Sequence, residues 1–135
     1  MRKKIVMQHE SLIQDAREAR EKAFCPYSEY PVGAAVETDD GVFTGANIEV
    51  SGRSTSIHAE MLAFFQAVYN EAEEFRKMAV SPKNQSGEAI CGLCQHTVAQ
   101  FTDELLIIED CGEEDPETYQ LSELIGPAYS PSTRH

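Results

Sequence analysis

Cys91-Gly92-Leu93-Cys94 sets two thiols three positions apart, and His58-Ala59-Glu60 sets an imidazole two positions ahead of a carboxylate. Cysteines three apart at the start of a helix share one face, so both sulfurs can reach a single tetrahedral ion. The positive end of the helix favours the thiolates that zinc requires. An imidazole brought from a second helix start would make three protein ligands. Three ligands leave one position for water, the arrangement of a catalytic zinc site, whereas a structural site takes four. Glu60, beside a ligand without being one, is then a candidate for moving protons. Taken alone, the Cys-x-x-Cys pair could equally be a redox couple, and a lone histidine is more often a satisfied polar residue than a ligand. A third segment, Asn47-Ile48-Glu49, adds a carboxamide and a second carboxylate.

The elements that must position these groups follow from the hydrophobic pattern. Residues 11–23 read as a first helix, with Leu12, Ala16, Ala19 and Ala23 at helical spacing and Asp15, Glu18 and Glu21 outside. Pro26-Tyr27-Ser28 ends it. Apolar runs at 32–36 and 42–48 flank Asp39-Asp40-Gly41, which predicts a β-hairpin. The serine-rich stretch 51–56 reads as a loop. A second helix starts near His58, and Met61, Leu62, Phe64, Phe65, Val68 and Tyr69 cover enough of it to predict burial on more than one side. Met78-Ala79-Val80 is a short strand. A third helix begins at Cys91 and carries Cys94, Val98 and Phe101 on one face. Leu105-Leu106-Ile107-Ile108 is a buried strand, and 121–125 a last short helix. The economical fold is α/β, with helices packed on a mixed β-sheet.

Composition narrows the function classes. The chain has 135 residues, 41% apolar and 25% charged, which predicts one globular domain over 1–135 and rules out a disordered chain. Eleven bases against 23 acids give a net charge of −12, so a nucleic-acid polymer is a poor partner. Between Lys83 and Arg134 no lysine or arginine occurs, which reads as a solvated acidic face, with salt adaptation as the second reading. No apolar run is long enough for a membrane span, and residues 1–8 do not look like a secretory signal, so the expected setting is the cytoplasm. Cys25 and Cys111 read there as reduced thiols.

His58-Ala59-Glu60 and Cys91 to Cys94 together fit the zinc-deaminase signature H-x-E…P-C-x-x-C, with Ile90 in the proline position. The chain resembles the cytidine deaminase family, nearly end to end. Cys25 to Ala35 is similar to that family's amino-terminal block and Gly45-Ala46-Asn47-Ile48-Glu49 to its sugar-binding strand. The nine-residue step from Glu49 to His58 matches its spacing, and 121–129 is similar to its carboxy-terminal lid. The resemblance implies a three-layer cytidine-deaminase-like fold and a zinc ion on His58, Cys91 and Cys94. It gives Glu60 as the acid–base group, Asn47 and Glu49 against the ribose hydroxyls, Tyr30 against the base and Ala59 in the substrate pocket. The implied substrate is a small cytosine nucleoside, cytidine or deoxycytidine, and the implied assembly a homotetramer whose subunits share sites.

Some positions depart from the pattern. Close relatives with three cysteines on zinc place arginines after the glutamate and after the second cysteine of the pair. Here His58 replaces the first thiolate, and the arginine positions hold Met61 and Gln95, as expected if a neutral metal site needs no nearby cations. Tyr129 stands where phenylalanine is common. Val50 and Gly52-Arg53 alter a loop near the pocket, and Arg53 could hold a phosphate or another acidic substituent. Deamination of a modified, blasticidin-like nucleoside or of a cytosine nucleotide is therefore the alternative within the class. A non-catalytic zinc-binding module is the alternative outside it.

Overall fold

The computed structural model describes residues 2–52, 55–85 and 90–125. Their strands are β1 (Val32–Thr38), β2 (Gly41–Ala46), β3 (Phe75–Pro82), β4 (Leu106–Glu109) and β5 (Glu117–Gln120). Their helices are α1 (Arg2–Arg20), α2 (Ala59–Tyr69), α3 (Gly92–Ala99) and α4 (Leu121–Ile125). The strands form one five-stranded sheet in the order β2-β1-β3-β4-β5. β3 and β4 are parallel, and the other neighbouring pairs are antiparallel. A parallel pair needs a crossover connection, and α3 lies in it.

Period-2 alternation sorts the sheet into two faces. Ala35, Ala79 and Ile108 pack against Leu12, Ile13 and Ala16 of α1. Ala34, Val36, Met78, Val80 and Ile107 face the other way, onto Ala63, Phe64 and Ala67 of α2 and Cys94 and Val98 of α3. The result is three layers around a mixed sheet, as the sequence implies. Two glycines permit the closest approaches. A Cβ on Gly33 would stand 2.0 Å from the Ala16 carbonyl oxygen of α1, and one on Gly45 would stand 2.4 Å from the Ala63 amide of α2.

Several boundaries differ from the sequence pattern. α1 begins at Arg2 and stops at Arg20, where a turn at Glu21 and Lys22 ends it before the expected boundary at Ala23. α3 begins at Gly92 with Cys91 as its N-cap and ends at Ala99. Phe101 therefore falls outside it, although its ring still packs against Phe64 at 5.6 Å. α2 is not wrapped on several sides in this chain: Phe65 is 40% and Tyr69 87% exposed. β5 is an addition, an edge strand whose Glu-Thr-Tyr-Gln carries no apolar run.

One polar cluster fastens the layers together. Asp110, buried at the end of β4, accepts both arms of Arg17 from α1, at 2.8 Å from Nε and 2.7 Å from Nη2. The Ser81 hydroxyl at 2.8 Å, Gln85 Nε2 at 2.9 Å and the Gly112 amide at 3.0 Å complete it. Burial alone would raise the Asp110 pKa, but these donors outweigh it and bring it down to about 2. A carboxylate depressed in the folded state adds stability that is fully present above its unfolded pKa of about 3.9. That contribution is lost as pH falls through the folded value. Asp110→Asn should cost about 3 kcal/mol at neutral pH by stranding Arg17. In urea denaturation, the gap to the wild type should shrink as pH is lowered from about 4 toward 2.

Candidate active site

Two helix starts meet on the α2–α3 face of the sheet. His58 is the N-cap of α2, with extended backbone (φ −82°, ψ 154°) and no side-chain capping bond, so its ring is free to turn away from the helix. Cys91 caps α3 in the same extended conformation, and its sulfur accepts the Cys94 amide at 3.4 Å. His58 Nδ1 lies 3.2 Å from Cys94 Sγ and 3.3 Å from Cys91 Sγ. All three donor atoms fall within 4.8 Å of one another, and among the described residues no fourth histidine, cysteine or acid joins them. Tetrahedral zinc with bonds of about 2.3 Å to sulfur and 2.0–2.1 Å to nitrogen would hold such atoms about 3.5 Å apart. The trio is already near that spacing.

The donor chemistry fits a cation for a second reason. Burial pushes the Cys94 thiol far up, and the neighbouring Glu60 carboxylate pushes it further. Burial likewise raises Glu60, which is only 7% exposed in the first turn of α2, against the opposing pull of its own backbone amide, His58 and Cys94. The buried Cys94 thiol and the buried Glu60 carboxyl are tolerated as anions side by side only with positive charge among them, whereas Cys91 is exposed. Met61 and Gln95 bring none. Met61 packs against the core, and Gln95 Nε2 donates to the Ile90 carbonyl at 2.7 Å, fixing the residue before Cys91.

A cavity of about 720 Å³ opens above this corner, with His58, Ala59, Glu60 and Cys91 at one end and Tyr30, Asn47 and Glu49 along its wall. Backbone pairing explains how these segments come together. Ile48 and Ile57 exchange hydrogen bonds at 3.0 and 2.9 Å, which puts His58 beside the Asn47–Glu49 segment. Phe24 clamps that segment from the other side, donating to the Asn47 carbonyl at 2.9 Å and accepting the Glu49 amide at 2.7 Å. The Asn47 side chain spans the loop, accepting the Val32 amide and donating to the Tyr30 carbonyl, both at 2.9 Å. Glu49 Oε1 accepts the amides of Tyr27 at 3.1 Å and Ser28 at 3.0 Å. The Ser28 hydroxyl first, then these amides, hold its carboxyl below the usual range.

The structure thus brings together His58, Ala59, Glu60, Cys91, Cys94, Asn47, Glu49 and Tyr30. Arg53 and Tyr129 lie outside the described residues. Three supporting groups escaped the sequence reading. Tyr27 and Ser28 supply the amides under Glu49, and Ser56 Oγ accepts the Val50 amide at 3.0 Å. Pro26-Tyr27-Ser28 and the serine-rich loop were visible as turn signals, but a turn signal does not say which carboxylate its amides will meet.

Residues 6–109 match the family described as the cytidine and deoxycytidylate deaminase zinc-binding region. The chain belongs to this family. A cytidine deaminase of Sporosarcina psychrophila is 41% identical over 96 residues, covering 70% of this chain and 71% of that protein. Another, of Halalkalibacterium halodurans, is 36% identical over 96 residues, 70% of this chain and 73% of that one. The crystal structure of the Burkholderia pseudomallei cytidine deaminase superposes with a TM-score of 0.80 at 33% identity, covering 86% of this chain and 94% of its own. The three-layer fold and the zinc cofactor expected from the sequence are those of this deaminase family, whose members are hydrolases of a C–N bond.

Because the buried thiol must lose its proton when it takes a metal, zinc affinity should fall by at least about tenfold per pH unit as pH is lowered from about 8 to about 6. Competition with a coloured chelator measures this, and His58→Ala should weaken binding across the whole range.

Proposed function

We propose that this chain hydrolyses cytidine and deoxycytidine to the corresponding uridines, releasing ammonia. The observation that carries the reading is the buried Glu60 carboxyl beside a three-donor cluster, at the end of a cavity whose wall offers Asn47 and Glu49. When bound by His58, Cys91 and Cys94, zinc supplies Lewis acidity that activates water near neutral pH. Glu60 handles the protons. It takes one from the water that adds to C4 and delivers it to N3. It then carries the second from the new hydroxyl to the amino group, so that ammonia leaves and the C4 carbonyl forms. Burial raises the Glu60 carboxyl, which makes its carboxylate a stronger proton acceptor than one in open water and suits it to collect the proton that it then passes on.

Asn47 and Glu49 position the sugar. Each already spends part of its hydrogen-bonding capacity on the backbone. A carboxamide and an ionised carboxylate nevertheless keep a further donor or acceptor for a ribose hydroxyl. Such groups select for ligands able to pair with them, which disfavours the free base. Glu60→Ala should lower kcat by about 10²–10⁴-fold while the metal content stays at that of the wild type. Metal analysis and loss of cytidine absorbance check both together. Metal bound without turnover on any of a panel of cytosine nucleosides, modified nucleosides and nucleotides would identify a non-catalytic zinc module.

The working setting we propose is the cytoplasm, supported by four cysteines that all stand as free thiols. The working assembly is a homotetramer. Tyr27 and Val50 line the cavity yet remain exposed, and Phe24 and Ile48, bridged to each other, expose more apolar surface nearby. A second copy would cover that surface. Each copy brings a charge of −12, so assembly works against repulsion that salt screens. Sedimentation should show the tetramer gaining at the expense of smaller species between low and high salt; identical distributions would count against it.

A further inference from the structure

The loop from Tyr27 to Tyr30 is held in a closed circuit of hydrogen bonds. Tyr27 and Ser28 donate their amides to Glu49, Ser28 Oγ accepts the Tyr30 amide at 3.1 Å, and the Tyr30 carbonyl accepts from Asn47. Tyr30 is thereby fixed to both residues that face the sugar, and it lines the same cavity. Its hydroxyl is buried and, among the described residues, has no hydrogen-bond partner. A buried hydroxyl left unpaired is destabilising, and folded proteins seldom keep one without a use. Phenylalanine would fill nearly the same volume without that cost. The cavity lining mixes apolar side chains such as Val32, Val80, Pro82 and Ile90 with polar ones, and none of these described residues bonds the hydroxyl.

We propose that the Tyr30 hydroxyl finds its partner in the bound ligand, hydrogen-bonding an oxygen of the cytosine nucleoside, so that Tyr30 is a specificity-determining residue read in concert with Asn47 and Glu49. The proposal rests on the nucleoside reading of the site. Among the described residues the hydroxyl has no protein partner, and in the complex the ligand supplies one. The differential therefore appears in affinity for the ligand and not in the stability of the empty fold.

The test is Tyr30→Phe in the zinc-loaded full chain. KM for cytidine and Kd for the product uridine should each rise roughly 3- to 10-fold. The effect on kcat should be smaller, and the melting temperature of the ligand-free protein should hold or increase. Repeating the comparison with 2′-deoxy-, 3′-deoxy- and 5′-deoxycytidine locates the partner. If the penalty disappears for one analogue, the contact is with that hydroxyl; if it persists through all three, the contact is with the carbonyl oxygen of the base. A wild type that turns over cytidine alongside a Tyr30→Phe variant with unchanged KM and Kd would overturn this proposal and leave the deaminase reading standing. A wild type that neither turns over nor binds any of these nucleosides would overturn both.

Discussion

Two extended N-cap residues, His58 and Cys91, bring the beginnings of two helices to one point, and the rest of the site is built around that meeting. Cys94 and Glu60 are both driven toward their protonated forms by burial, and the Glu60 carboxylate pushes the Cys94 thiol further up, while His58 and Cys94 pull Glu60 the other way. A divalent cation would make this arrangement cohesive, with the sulfurs as its ligands and the carboxyl beside a positive charge. Small and apolar residues of the two helices, Ala59, Ala63 and Val98 among them, belong to the core on this face of the sheet.

The chemistry was more legible in the sequence than the architecture around it. His58, Cys91 and Cys94 are read as ligands, and Glu60 as their acidic neighbour, only when the two segments are taken together, since each alone also admits a redox or structural role. The strands read at 32–36 and 78–80 and the start of α2 follow from apolar runs and turn residues, which act locally; the folded strands reach further, over 32–38 and 75–82. The roles of Tyr27, Ser28 and Ser56 were not legible, since each depends on a partner more than five residues away that only the folded chain supplies. β5 was missed for a related reason. An exposed edge strand needs no hydrophobic face, so Glu117 to Gln120 leaves no periodic trace. The exposed Phe65 and Tyr69 show the opposite error, in which apolar residues on a helix were taken as burial within one chain.

Asn47 illustrates why structural and functional readings of a polar residue need not compete. Its side chain ties the loop before β1 to the segment after β2, which is the work expected of a turn residue. The same two bonds fix the direction of the amide, so whatever capacity remains is presented to the cavity in one orientation only. Rigidity gained from the backbone becomes discrimination toward a ligand.

The paired amides and carbonyls of Ile48 and Ile57 close the base of an excursion between Glu49 and Ser56, and those two bonds set the register of Asn47, Glu49 and His58 below it. Val50, Ser51 and Ser56, which belong to the excursion, nonetheless form part of the cavity lining. The clasp thus lets one short segment serve two ends, its upper part shaping what enters the cavity and its base fixing the residues beside the metal-ligand candidates.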